Sequence, residues 1–203
     1  MACSIKRELI EKTIAFHGHL CPGLAIGIRA AELALQKMGH AGETDLVAIV
    51  ETDMCGVDAI QFLTGCTFGK GNLIHKDYGK RAFSFYDRRR STGFRAVLRP
   101  DISDSDASER QMLAKKVEEE TANEEEHARY DGLRRKQQER VMNGELEEIF
   151  SVTAPVWPVP KSARILSSLR CESCGEMTME SRTRRFGGKT LCIPCFEKVE
   201  QKR

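Results

Sequence analysis

No apolar run in this 203-residue chain approaches the roughly 20 residues that a membrane-spanning helix needs. The N-terminus, MACSIKREL, has neither the apolar stretch nor the small-residue cleavage site of a signal peptide, so the sequence predicts a cytoplasmic protein with no membrane partner. Disulfides are disfavoured in such a compartment. The eight cysteines must then be metal ligands, reactive thiols or small buried hydrophobes. Internal repeats are missing too. The Gly-Lys pair within TFGKGN (67–72) lacks the spacing and the following Ser/Thr of a nucleotide phosphate loop, which leaves a flexible turn.

What is present is segregated charge. Residues 1–100 carry 14 basic and 10 acidic side chains, 101–160 carry 8 and 15, and 161–203 carry 10 and 5. The three segments are therefore +4, −7 and +5. A basic end can attract nucleic acid, yet the same charge also solubilises a small surface.

The apolar spacing predicts a helix from Ser4, as cap, through Phe16, and a second from Pro22 to Met38 ended by Gly39. Leu46–Glu51 reads as a buried strand, followed by the loop TDMCG and a short helix over Val57–Leu63. Ala82–Asp87 and Phe94–Leu98 read as a hairpin around RRRSTG. SDSDASE offers caps, and Arg110–Arg140 is rich in helix formers and poor in large apolar residues, with Gly132 and Gly144 as breaks. Such helices suit a surface or a partner. FSVTAPVWPVP reads as a last strand running into a semi-rigid proline spacer, which divides the chain into domains 1–160 and 161–203.

The tail contains Cys171-x2-Cys174 and, seventeen residues on, Cys192-x2-Cys195. Two such knuckles supply four thiolates for one tetrahedral structural Zn(2+), with no open position for chemistry. Two redox dithiols are the alternative. A tail of this size, however, has too little apolar surface to fold unaided, which favours zinc. The intervening hairpin, with Arg182, Arg184, Arg185, Lys189 and the turn Gly187-Gly188, is similar to C4 fingers of the DksA/TraR type. That likeness implies docking on a protein, with nucleic acid open as a partner.

His17, His19 and Cys21 alternate, so an extended segment between Gly18 and Pro22 would project all three from one face. Imidazole with thiolate suits zinc or another borderline metal. Cys21 also precedes a helix N-terminus, where the dipole favours a thiolate, so a nucleophile is the second possibility. Three polar residues could instead cap helices and fill core, a reading better suited to one lone His than to this alternation. Cys55, on a loop with Thr52, Asp53 and Asp58, is a further ligand, and Cys66 is left open. Lys70, His75 and Tyr78 are weaker, and Cys3 is incidental. A second metal ion on His19, Cys21 and Cys55, with His17 as ligand or orienting group, is the expectation.

FHGHLCPGLAIGIRAA, DMCGVDAIQFLTGCTFGKGNL, CESCG and CIPC together resemble the FmdE family, named for the FmdE subunit of formylmethanofuran dehydrogenase, over most of residues 8–100 and the tail. The resemblance implies an α+β core, a mixed sheet flanked by helices, followed by a small zinc-finger domain. It implies a homodimer and a His/Cys cleft at His17, His19, Cys21, Cys55 and Cys66. The function it implies is a metal-binding accessory protein linked to molybdenum or tungsten one-carbon metabolism. A metal- or Cys-dependent enzyme, with His17 or His19 as base and Cys21 or Cys55 as nucleophile, and a nucleic-acid-binding regulator are the alternatives.

Overall fold

A computed structural model describes residues 3–102 and 106–201. The chain divides into two compact units, Met1–Ser162 and Ala163–Arg203. The first contains α1 (Arg7–His17), α2 (Pro22–Met38), β1 (Leu46–Val50), α3 (Gly56–Thr64), β2 (Leu73–His75), β3 (Ala82–Asp87) and β4 (Thr92–Leu98). It continues through α4 (Ala107–Glu118), α5 (Glu124–Asn143), the single turn α6 (Leu146–Ile149) and β5 (Phe150–Thr153). One five-stranded sheet runs in the order β2-β1-β3-β4-β5. β1 and β2 are parallel and the other pairs antiparallel, the mixed sheet of an α+β fold.

Strand alternation gives the sheet two apolar faces. Ala48, Val50, Phe83, Phe85, Phe94, Ala96 and Leu98 pack with Ala30, Leu33 and Ala34 of α2 and Val141 of α5. Val47, Ile49 and Tyr86 point the other way and are covered by Ile74, Trp157 and Val159. On β4, Arg95 makes a bidentate pair with buried Glu51 at 2.6 and 2.9 Å.

Several local expectations change. Ser4 does not cap α1; its N–H and Oγ each donate to Glu32 Oε1 at 2.6 Å, and Lys6 precedes the helix without a side-chain cap. Gly132 lies inside α5, and the break falls earlier, at 119–123, where Glu120 has φ +55° and Asn123 forms a capping box with Glu126. α5 succeeds with few large apolar residues because Leu133, Gln137 and Val141, spaced four apart, bury one stripe. Gly144 does end it. Of the run SDSDASE, Ser103, Asp104 and Ser105 lie outside the described residues, and Asp106 precedes α4 without a side-chain cap bond. The proline segment is no free spacer. Trp157 O accepts from Tyr86 Oη at 3.1 Å, and Arg88 donates to Pro160 O and Lys161 O at 2.7 and 3.0 Å.

The second unit has two antiparallel hairpins, β6 (Ser168–Arg170) with β7 (Met177–Met179), and β8 (Thr183–Phe186) with β9 (Lys189–Cys192), then the short helix α7 (Ile193–Glu197). Among the described residues no helix is long and apolar enough to cross a membrane.

Candidate metal centre

The core site begins where α1 stops. Gly18 takes φ +99° and donates its N–H to Ile14 O at 2.7 Å, a left-handed C-cap that side chains with a Cβ rarely adopt. The chain then reaches Cys21, which is extended (φ −136°, ψ 165°) at the N-cap of α2 and accepts the Leu24 N–H on Sγ at 3.3 Å. The segment is therefore not a strand. A helix end, a left-handed turn and an N-cap replace the expected extended run, because the two helices need terminal hydrogen bonds more than the short connection needs regularity. The outcome is still convergence: one donor atom from each of His17, His19 and Cys21 lies within 4.8 Å of the other two. The two imidazole rings are 4.8 Å apart.

His17 is already oriented. Its Nδ1–H donates to Asp58 Oδ2 at 2.7 Å, while its Nε2 is buried with no hydrogen-bond partner among the described residues. A carboxylate that fixes the tautomer and leaves the other nitrogen's lone pair free is the usual support for a metal-bound imidazole. A buried lone pair without a partner is costly unless something satisfies it. Two imidazoles and a thiolate fit zinc or a similar borderline ion, and three ligands leave a coordination position that the trio does not fill.

Asp58 is delivered by α3, which meets α2 backbone to backbone. A Cβ on Gly27 would stand 2.1 Å from Gly56 O and 2.4 Å from its Cα, and one on Gly56 would stand 2.9 Å from Gly23 O. The same crossing brings Cys55 against Gly23, whose Cβ would lie 3.3 Å from that of Cys55. Cys55 stands beside Cys21 but outside the trio; its thiol is pushed up by burial first and then by its hydrogen bond to Cys21.

The remaining sequence candidates are elsewhere. Cys66 is buried in the sheet-side core and bonds Leu46 O at 3.6 Å. Lys70 donates to Gly65 O, Tyr78 stacks on Trp157 at 6.0 Å, and His75 ends β2 exposed. Cys3 is half-buried, and burial pushes its thiol up to about 11.

In the tail, Cys171, Cys174, Cys192 and Cys195 also converge within 4.8 Å. The first two come from a turn after β6, in which Cys171 N–H donates to Glu176 O and Gly175 N–H to Cys171 O, both at 2.9 Å. The other two come from the end of β9 and from α7. Cys174 and Cys192 sulfurs are 3.9 Å apart. A tetrahedral zinc with bonds of about 2.3 Å requires about 3.8 Å, so the cage has the right size. Amide N–H groups, Cys174's foremost and then those of Cys192 and Ser173, bring the Cys171 thiol down to about 6. The Glu176 amide favours the Cys174 thiolate, but burial and the crowding of Cys171, Cys195 and Cys192 outweigh it and push that thiol up to about 12. Four thiols this close ionise together only around a cation.

Residues 16–151 match the family described as FmdE, Molybdenum formylmethanofuran dehydrogenase operon, and residues 164–201 match the prokaryotic dksA/traR C4-type zinc finger. A probable S-adenosyl-L-methionine-binding protein of Archaeoglobus fulgidus is 30% identical over 197 residues, 93% of this chain and 52% of the relative. The chain thus spans about half the length of the curated relative it matches. The crystal structure of a tungsten formylmethanofuran dehydrogenase FmdE-like protein from Syntrophus aciditrophicus shares the fold, with TM-score 0.63, 24% identity and 99% of each chain covered.

Proposed function

We infer function from one premise: this chain belongs to the FmdE family and ends in a C4 zinc finger of the DksA/TraR type. The reading is a metal-binding accessory protein of molybdenum- or tungsten-dependent formylmethanofuran metabolism, after which the family and the structural neighbour are named. Its core would hold one metal ion on His17, His19 and Cys21, and its finger a structural zinc. The observation that carries the core site is the buried His17 Nε2, left without a partner among the described residues while Asp58 holds Nδ1.

Bound there, a zinc ion would act as a Lewis acid on whatever ligand occupied its open position. The chain's own residues do the rest. Asp58 fixes the His17 tautomer, the Leu24 N–H stabilises negative charge on Cys21, and the α2–α3 crossing excludes water from the Cys21 side. The finger, whose hairpin exposes Arg182, Arg184, Arg185 and Lys189, serves as a docking module for a protein partner.

Metal analysis of the purified full chain tests the core assignment. Wild type should carry about two equivalents, one ion per site, and Cys21→Ala about one. A wild-type content of one that Cys21→Ala leaves unchanged would refute the core site while sparing the finger.

A further inference from the structure

The α2–α3 crossing leaves two thiols on one turn of α2, and the chemistry above uses only one of them. Cys21 caps that helix, and its Sγ folds over the first turn, where it accepts the Leu24 N–H. Cys55 occupies the equivalent place before α3, and its side chain lies against the same turn of α2. A Cβ on Gly23 would stand 3.3 Å from Cys55 Cβ and 3.7 Å from its Sγ, so with glycine there no methyl group holds Cys55 off. The two thiols meet at this point, joined by a hydrogen bond.

Among the described residues no other thiol competes for either partner. Cys66 is fully buried in the sheet-side core. Cys3 sits by Glu32, more than two turns of α2 beyond Gly23 and about 13 Å away along the helix axis. The finger cysteines form their own cage in the second unit. Access also distinguishes the pair. Cys21 is 4% exposed and Cys55 is half-buried, so a reagent from solution reaches Cys55 first and finds Cys21 behind it. An outer thiol backed by an inner one is the arrangement in which attack at the first sulfur is resolved by the second.

We propose that Cys21 and Cys55 form a modification site: a low-molecular-weight disulfide converts the pair to an intramolecular disulfide, and the conversion dismantles the core metal site. The Cys55 sulfur attacks one sulfur of the reagent, whose S–S bond breaks; half of the reagent stays on Cys55, and the other half leaves with the Cys55 proton as a thiol. The Cys21 sulfur then attacks Cys55 Sγ and expels the second half, which leaves as a thiol with the Cys21 proton, or with one from water where a metal holds the Cys21 thiolate. The reagent is reduced to two thiols, and the two cysteines are oxidised to one disulfide. Only a thiolate is a metal ligand, so Cys21 is lost to the trio and His17 and His19 remain. Cys55 thus acts on the site without being a ligand. The loss of metal rests on the core-site reading above; the disulfide does not.

The test is incubation of the full chain with oxidised glutathione, alkylation of the remaining thiols, mapping of linked peptides by mass spectrometry, and assay of released metal with a chelator. Wild type should yield the Cys21–Cys55 linkage and release about one equivalent more metal than Cys55→Ala, in which Cys21 has lost its outer partner. Dithiothreitol should reverse the linkage. Cys21 and Cys55 recovered as alkylated thiols, or either one joined to a different cysteine, overturns the proposal, as does a Cys55→Ala variant that loses core metal as readily as wild type. The mapping needs no variant, so it decides the matter even if Cys55→Ala fails to fold. A chain purified without core metal that still forms the linkage sinks the core-site reading and the metal release that depends on it, and leaves the modification site standing.

Discussion

At the scale of the residue, the two nitrogens of His17 differ: Nδ1 is committed to Asp58, and Nε2 is buried without a partner among the described residues, where the proposed core metal would bind. Asp58→Ala should therefore lower core metal affinity about 10- to 100-fold without removing a ligand, as loss of such orienting partners does, and chelator competition measures it. Cys55→Ala should leave core metal content unchanged, because Cys55 lies outside the trio. In the tail, a Cys171 thiol near 6 lies below the ordinary 9.0, so its contribution to stability is fully present above 9.0 and lost as pH falls through about 6. Protons compete with zinc for the four thiolates, so zinc release, followed with a chromogenic chelator, should increase as the solution is acidified, and release that did not depend on pH would count against thiolate ligation.

At the scale of the element, two packings on α3 set the site: α2 crosses it at Gly27 and Gly56, which sets Cys55 beside Cys21, and α1 packs on it, with Phe16 and Phe62 5.6 Å apart, which brings Asp58 to His17. Gly27→Ala puts a carbon where the Gly56 backbone already is, and no side-chain adjustment can relieve that contact. It should destabilise the core by about 3 kcal/mol or more, and the lost denaturant midpoint should be accompanied by lost core metal. The sequence made α2, β1, the β3–β4 hairpin and both cysteine pairs legible, since each is marked by local periodicity, a glycine stop or fixed ligand spacing. His17, His19 and Cys21 were legible as a set, but not the route by which they meet. That route depends on helix-terminal hydrogen bonds at Gly18 and Cys21, whereas simple alternation suggests a strand. The α4–α5 break escaped because Gly132 is tolerated inside a packed helix, at about 1 kcal/mol, while Glu120 takes a left-handed conformation that its residue type does not advertise.

At the scale of the whole molecule, the division at Ser162 makes the tail's metal a local matter. Cys171→Ser should abolish tail folding, seen as rapid proteolysis after residue 162, while the first unit keeps its melting temperature. A homodimer is the further expectation: α4 buries only Leu113 and leaves Met112 53% exposed, so part of its surface is available to a second copy. Light scattering should give twice the 22.8 kDa chain mass, and a monomer at micromolar concentration would remove the dimer. The strap that follows β5 has one more consequence. The chain's single tryptophan, Trp157, is half-buried against Val47, Ile49 and Tyr86, and it belongs to the first unit. The protein therefore contains its own optical reporter, whose emission follows the sheet of the first unit. Heating should shift that emission in one step as the sheet melts, so a fluorescence trace isolates the cooperativity of the first unit without labelling.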